Sequence, residues 1–461
     1  MDEVEDIEKY RPGGLAPLTI GDVLANRFQI IHKLGYGGIA TVWLCFEPDI
    51  EKWHAIKINA ASHSGDDCSD VRAIRLLEER GITRETLEKN HICTPLEYFW
   101  EETLNGKHFC TVMPILGSRL SEWREDELED DGDRINDISY QMTEGLSFLH
   151  EQGLCHGDFR PQNILMKLRP NCLDHLSRDE MWDYLGDPEF AVVRTVDGET
   201  SPHAPDTVVT SAPWQRFWKF MTDEIAIVDF GEAYLASDPP KALGIPEKYA
   251  APEVLFREGR PGFPSDVWSL AISLLEIRVN DYEGSNRPFA VMRQMERYAG
   301  PMPAPYREAA KGLLEEIRQR EFEDDEGESS DVEQVGSTIT GAIGLRPLTG
   351  DIYKPLNRSE DIEYECEEFN HPLERKLGST QHAFGHQPDP DDPSNKMAGN
   401  ELVEFMLPRE EVRQLGDLLR QMFKYAPEER IILSDALSHP WFNQNCQRAA
   451  NLDCSVYYEY R

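Results

Sequence analysis

Residues 156–163 spell HGDFRPQN: a histidine, a carboxylate two positions later and a carboxamide five positions beyond that. Asp158 is a group able to take a proton from a hydroxyl, and Asn163 offers an oxygen to a hard cation. Upstream, Ile135, Ile138, Met142, Leu146 and Leu149 recur at intervals of three and four. That spacing predicts a helix with one apolar face leading into the motif. Downstream, IAIVDFG at 225–231 predicts a strand ending in a turn, and it carries a second carboxylate, Asp229.

Ahead of residue 116 the text changes period. FQIIHKL, TVWLCF and HAIKI are short β-branched and aromatic runs separated by turn formers. LEYFWEE and HFCTVMPIL continue the pattern, and SDVRAIRLLEERG supplies one helix ended by Gly81. The expectation is an α+β chain: a lead-in at 1–27, a small antiparallel β-rich lobe at 28–115 and a larger, mainly helical lobe at 116–461. Two stretches interrupt that plan. One, at about 168–222, separates the opening motif from the next strand. The other, at about 321–400, is acidic and poor in apolar periodicity, and is expected to be largely disordered.

The first strand pair holds LGYGGIATV. Gly35 and Gly37 let the backbone pass close over phosphate oxygens, where a side chain would collide. Ala40 stands in place of the third glycine of G-x-G-x-x-G-x-V, and Val42 follows where an adenine ring can be capped. Ala55 and Lys57 come on the following strand, Lys57 as a cation for α- and β-phosphates. Two glycines in a hairpin mean little alone. In order with Lys57, His156, Asp158, Asn163 and Asp229-Phe230-Gly231 they make a set suited to phosphoryl transfer from ATP with Mg2+. That reaction asks mainly for positioning and charge neutralisation. Asp158 would face the acceptor hydroxyl, and Asn163 and Asp229 would hold metal.

HGD followed by Asn is also how aminoglycoside- and choline-kinase-like phosphotransferases write this loop, so a small-molecule acceptor stays open at the motif alone. The later text resembles the peptide-binding lobe of eukaryotic protein kinases instead. Ala251-Pro252-Glu253 matches the end of an activation segment, and Asp266-Val267-Trp268 opens a helix apolar nearly all round. Arg430 precedes HPWF at 439–442. Glu253 and Arg430 would form a buried bidentate pair. His156 is expected to orient the loop from within the fold rather than act as a base. Val412, Leu415, Leu418, Leu419 and Met422 predict one more amphipathic helix.

The chain resembles the SR-protein kinases, specifically their compact fungal-type relatives. YRPGGLAPLTIGDVLANRF is similar to the lead-in Y-x-x-G-G-x-x-P-x-x-I-G-D, with Tyr10, Gly13, Gly14, Pro17, Ile20, Gly21 and Asp22 in step. KLGYGGIATVWL and HFCTVMPILGSRLSEW match two further family stretches, and Asn163 and Asp229 lie 66 positions apart, as the family's own insert requires. The resemblance implies an eukaryotic protein-kinase fold. It makes Met113 the gatekeeper, Pro114 to Leu116 the hinge, and Leu34 and Leu165 walls of the adenine site. Implied acceptors are serines in basic, Arg-Ser-rich, splicing-related proteins. The activation segment contains one Ser and no Thr, which fits an enzyme that needs no phosphorylation there.

Departures from the pattern are specific. Ala73 falls where a helix should offer Glu to Lys57, with Asp70 one turn earlier as a substitute. Arg160 replaces a Lys near the γ-phosphate and differs from it in shape. Gly157 replaces an Arg, and Pro246 stands where Thr usually faces Asp158. These leave an ATP-binding pseudokinase or docking scaffold as the alternative to an active enzyme.

Composition bounds the partners. Lys and Arg number 47 against 85 Asp and Glu, a net charge of −38. Such a surface disfavours nucleic acid and attracts basic proteins, unless its acidic loops are merely solvated. No apolar run reaches the length of a bilayer span, and MDEVEDIEKYRPGG lacks the pattern of a signal peptide. Nine cysteines without a C-x-x-C pair suit a reducing compartment, so cytoplasm and nucleus are expected, with a monomeric chain.

Overall fold

The computed structural model describes residues 4–65, 68–126, 132–280, 288–327, 369–386 and 400–442. Six strands build one antiparallel sheet: β1 (Val23–Leu24), β2 (Phe28–Tyr36), β3 (Ala40–Glu47), β4 (Lys52–Asn59), β5 (Glu97–Thr103) and β6 (Gly106–Met113). Their spatial order is β1-β2-β3-β4-β6-β5. Helices α1 (Ser69–Glu79) and α2 (Arg84–Lys89) connect β4 to β5.

The strand period of two gives this sheet two apolar faces. Ile30, Trp43, Cys45, Ile56 and Ile58 point to one side, where Ala16 and Leu18 of the lead-in cover them. Ile31, Leu44 and Trp53 point to the other. A sheet buried on both sides needs a second layer, and the chain supplies it from far downstream.

The helical lobe begins with α3 (Leu120–Asp126), α4 (Gly132–Glu151), β7 (Leu154–Cys155) and β8 (Ile164–Leu168). The first insert follows as α5 (Arg178–Leu185) and a hairpin of β9 (Phe190–Val192) with β10 (Thr207–Val209). Its Leu173, Leu176, Met181, Leu185, Phe217 and Phe220 pack on Ile31, Leu44 and Trp53. The Trp53 indole donates to the Leu176 carbonyl at 3.1 Å, and the Ala212 amide donates to the Lys33 carbonyl at 2.8 Å. Placed by sequence within the helical lobe, the insert therefore lies against the small one.

Chain order then gives β11 (Met221–Ile227), paired with β8, and β12 (Tyr234–Leu235), paired with β7. Next come α6 (Pro252–Leu255), α7 (Phe263–Val279), α8 (Pro288–Ala299) and α9 (Ala304–Gly327). Every residue of α7 from Ser265 to Val279 is buried, as its all-round apolar text predicts. The Ser269 and Ser273 hydroxyls are satisfied by carbonyls one turn back, at 3.1 and 2.8 Å.

The expectation of disorder over 321–400 needs correction at both ends, and residues 321–327 are the last turns of α9. Residues 369–386 form α10 (Pro372–Gly378) and β13 (Gln381–His386), which pairs with β14 (Asn400–Phe405). Leu373 and Leu377, one helical turn apart, are fully buried in the same core as Val412, Leu415 and Leu419 of α11 (Arg409–Met422). Two anchoring leucines in seven residues are too few to register as a period, yet enough to seat a short helix. Residues 328–368 and 387–399, the rest of that expectation, lie outside the described residues. Among the described residues, no helix is long and apolar enough to cross a membrane.

Candidate active site

Between the sheet and the helical lobe the motif residues converge. Lys57 lies on β4, opposite Val42 of β3 and Thr111 of β6. Its ammonium is 3.2 Å from the carboxylate of Asp229. Asp229 adopts a left-handed backbone, φ 63° and ψ 73°, directly after β11. The neighbouring Lys57 charge is the main reason its carboxyl titrates below the usual carboxylate range, against the opposing pull of burial.

Across from that pair, Asp158 is buried and held on two sides. The Asn163 amide donates to its carboxylate at 2.7 Å and to its carbonyl at 2.8 Å. Arg160 Nε meets both carboxylate oxygens, at 3.0 and 3.1 Å. Burial raises the Asp158 pKa, and Arg160 and His156 only partly offset it. Arg160, expected near a γ-phosphate, thus spends its Nε on Asp158.

The loop carrying these groups is fixed from behind. Asp266, at the start of α7, accepts from the backbone amides of His156 at 2.7 Å and Gly157 at 3.0 Å. His156 Nε2 lies 3.1 Å from the Val228 carbonyl, and its ring packs on Phe159 and Phe230. These contacts hold the ring within the fold. Gly157 has φ 80°, and a Cβ there would sit 2.3 Å from the Glu232 carbonyl. The missing arginine of this loop therefore has a steric cause: no side chain fits.

Farther down, Glu253 and Arg430 make the expected fork at 2.7 and 2.6 Å. Arg430 also donates to the carbonyls of Pro264 and Lys424, while Ser265 donates to Glu253 at 2.8 Å. Pro246 offers no hydroxyl to Asp158; its carbonyl takes the Tyr249 amide at 2.9 Å. Tyr249 instead reaches Glu276 at 2.7 Å and Gln162 of the motif loop at 3.2 Å. That link was not read from the sequence, because Gln162 and Tyr249 belong to no shared pattern.

The roof and floor of the cleft are less complete in sequence than in space. Gly35 pairs with Val42, and the Gly37 amide closes the turn on the Ala40 carbonyl at 2.8 Å. A Cβ at Gly37 would meet nothing within 4 Å, so no other part of the chain packs against this exposed turn there. Ala55 faces Met113 across β4 and β6, and Leu165 lies on β8. Leu116 is half-buried beyond Met113, whereas Leu34 leans partly onto the insert cluster. Behind Met113 is an open space of about 340 Å³ lined by Lys57, Ile74, Thr111, Asp229 and Phe230. Arg119 was not anticipated: its backbone bridges to Leu165, and its guanidinium lies 3.6 Å from a Cβ position at Gly35.

Ala73 of α1 is buried in the core rather than aimed at Lys57 as a charge. The side chain of Asp70, the suggested substitute, lies outside the described ones.

The donor set suits a nucleotide with a divalent cation: an open cradle under two glycines, a lysine beside an ionised aspartate, and an asparagine that engages Asp158 through its nitrogen. A two-lobed fold with this cleft and the buried Glu253–Arg430 fork is that of a protein kinase. The protein kinase domain model matches residues 28–174 and 217–442, leaving out most of the first insert. The chain belongs to the protein kinase family.

Within that family its relatives are SR-protein kinases. It is 33% identical to serine/threonine-protein kinase spk-1 of Caenorhabditis briggsae over 36% of this chain and 15% of that protein. It is 29% identical to SRSF protein kinase 3 of Homo sapiens over 41% of this chain and 34% of that one. With serine/threonine-protein kinase SRPK of Physarum polycephalum it shares 24% identity over 95% of this chain and 91% of that protein. The chain thus aligns with well under two thirds of the first two relatives' length. A crystal structure of a kinase domain superposes with a TM-score of 0.51 at 18% identity, over 92% of this chain and 98% of that one. It shares the fold.

Proposed function

We propose that this protein is an active serine/threonine kinase of SR-protein-kinase type, transferring the γ-phosphoryl of ATP, with Mg2+, to serines in basic Arg-Ser-rich proteins. The observation that carries this is the Asp158 carboxylate, buried and held by Asn163 and Arg160 in the same cleft as the Lys57–Asp229 pair. Asp158 accepts the hydrogen bond of the acceptor hydroxyl and orients it. Asn163, through its free carbonyl oxygen, and Asp229 are the metal-holding residues. Lys57 binds phosphate oxygens, and Met113, Leu116, Val42, Ala55 and Leu165 enclose the adenine. The name of the human relative and the net charge of −38 both favour basic splicing-factor substrates. Cys45, Cys68, Cys93, Cys110 and Cys155 are buried and, among the described residues, form no disulfide, which fits the reducing cytoplasm or nucleus.

One observation favours a second reading, an ATP-binding scaffold: Ala73, which the sequence aligns with the glutamate that steadies the lysine, is a buried, uncharged residue. The two separate in one assay. Purified protein with Mg2+ and ATP is expected to phosphorylate an Arg-Ser repeat peptide, with binding of the peptide weakening as ionic strength rises. ATP binding without transfer to any basic peptide hands the case to the scaffold.

Lys57→Met is expected to raise the KM for ATP and lower kcat together, since the lysine both binds phosphate and sets Asp229. The Asp229 carboxyl should lose its main depressing influence and titrate higher. If steady-state kinetics across ATP concentrations show neither parameter moved, Lys57 is not at the phosphates.

A further inference from the structure

The turn Gly37–Gly38 has no side chain to hold it, and both residues are exposed. Glycines carry the largest backbone freedom, so a loop of this kind must lose much of it when it closes over a ligand. Here the tip is not left loose. Lys9, from the lead-in, places its ammonium 2.9 Å from the Gly38 carbonyl. The Ala60 amide donates to the adjoining Ile39 carbonyl at 2.7 Å. The tip is thus gripped on two successive carbonyls, one by β4's end and one by a segment almost thirty residues upstream.

The platform beneath Lys9 is rigid. Glu5 is buried against the buried Lys33 of β2 at 2.7 Å, and the Tyr10 hydroxyl donates to the same carboxylate. Asp6 accepts from the Glu8 amide at 3.0 Å, capping the turn that holds Lys9. The Lys9 carbonyl accepts the Leu15 amide at 2.9 Å, and Gly13 and Gly14 accept from Ser62 and Ala61 at 2.7 and 2.9 Å. Tyr10 and Leu15 pack with Ala60 and with Val208 of the insert hairpin. The lead-in therefore fastens the β2–β3 hairpin partway along β2, through Lys33, and at its tip, through Gly38.

We infer that Lys9 is a positioning residue for the nucleotide: it pre-sets the glycine turn over the phosphates, so that less freedom is lost when ATP binds. This rests on the nucleotide-site assignment above, in which the turn covers phosphate while Val42, Ala55 and Leu165 hold the base. The role is confined to the phosphate end, and that makes it separable from a general effect on folding.

The test uses the full chain and two probes, a non-hydrolysable ATP analogue with Mg2+ and adenosine, each titrated by calorimetry. Lys9→Met is expected to weaken the analogue roughly three- to tenfold, the range of one solvent-exposed hydrogen bond. Adenosine affinity and Tm should not change. Lys9→Arg, which keeps a donor, should recover at least part of the loss. Equal affinity of wild type and Lys9→Met for the analogue overturns the inference, as does a parallel loss for adenosine. Wild type that binds adenosine but not the analogue overturns it too, and takes the nucleotide-site assignment with it.

Discussion

Asp158→Asn is expected to slow phosphate transfer about a thousandfold, the scale of a lost positioned proton acceptor, while leaving nucleotide affinity within about twofold. The substitution is close to isosteric, so the bond from Asn163 at 2.7 Å can persist on a carbonyl oxygen. What disappears is the negative charge that Arg160 faces, one of the two acceptor oxygens, and the basicity needed to take a proton from the hydroxyl. Because burial lifts the Asp158 pKa, the acid limb of the rate profile should lie above the ordinary carboxylate range. Falling pH protonates Asp158 first and shuts transfer off while Asp229, held low by Lys57, is still ionised. Peptide phosphorylation rates and calorimetric nucleotide binding, compared for wild type and variant, check both halves. A variant retaining a tenth or more of wild-type turnover would falsify the assignment.

Glu253→Ala is expected to destabilise the fold by about 3–5 kcal/mol, the usual consequence of orphaning one member of a buried ion pair. Side-chain exposure is 2% for Glu253 and 0% for Arg430, so the guanidinium left behind has no water to turn to. Its bonds to the Pro264 and Lys424 carbonyls remain but carry no compensating charge. Replacing both partners with methionine should cost much less than the single change, because no charge is then stranded. Urea unfolding of the single and double variants measures this. A loss below about 1 kcal/mol for Glu253→Ala would show that the pair is far better solvated than its geometry implies.

How much could be read in advance depended on whether a residue's job is written in its neighbours. Asp158, Asn163, Asp229, Lys57, Glu253 and Arg430 sit in short patterns whose chemistry is local, and the fold pairs Lys57 with Asp229, Asn163 with Asp158 and Arg430 with Glu253. The helix of Val412, Leu415 and Leu419 shows itself by period. Gly157 was visible only as an omission; its reason, the Glu232 carbonyl, is seventy-five positions away and has no signature. Leu173 with Leu176, and Phe217 with Phe220, are isolated pairs three residues apart, too short to establish a period, and the surface they fit belongs to other strands. Lys9 is equally silent: a lysine beside Tyr10 says nothing until the turn it touches is in view.

The layer laid down by residues 173–220 has a practical corollary for anyone wishing to shorten this protein. Excising the insert as a dispensable decoration would strip Ile31 and Leu44 of their cover, at about 1.5–3 kcal/mol for each side chain bared. It would also leave the Trp53 indole without its acceptor. The same cluster includes Ile115, in the middle of the 114–116 segment that links the two lobes, so a truncated chain would loosen there as well.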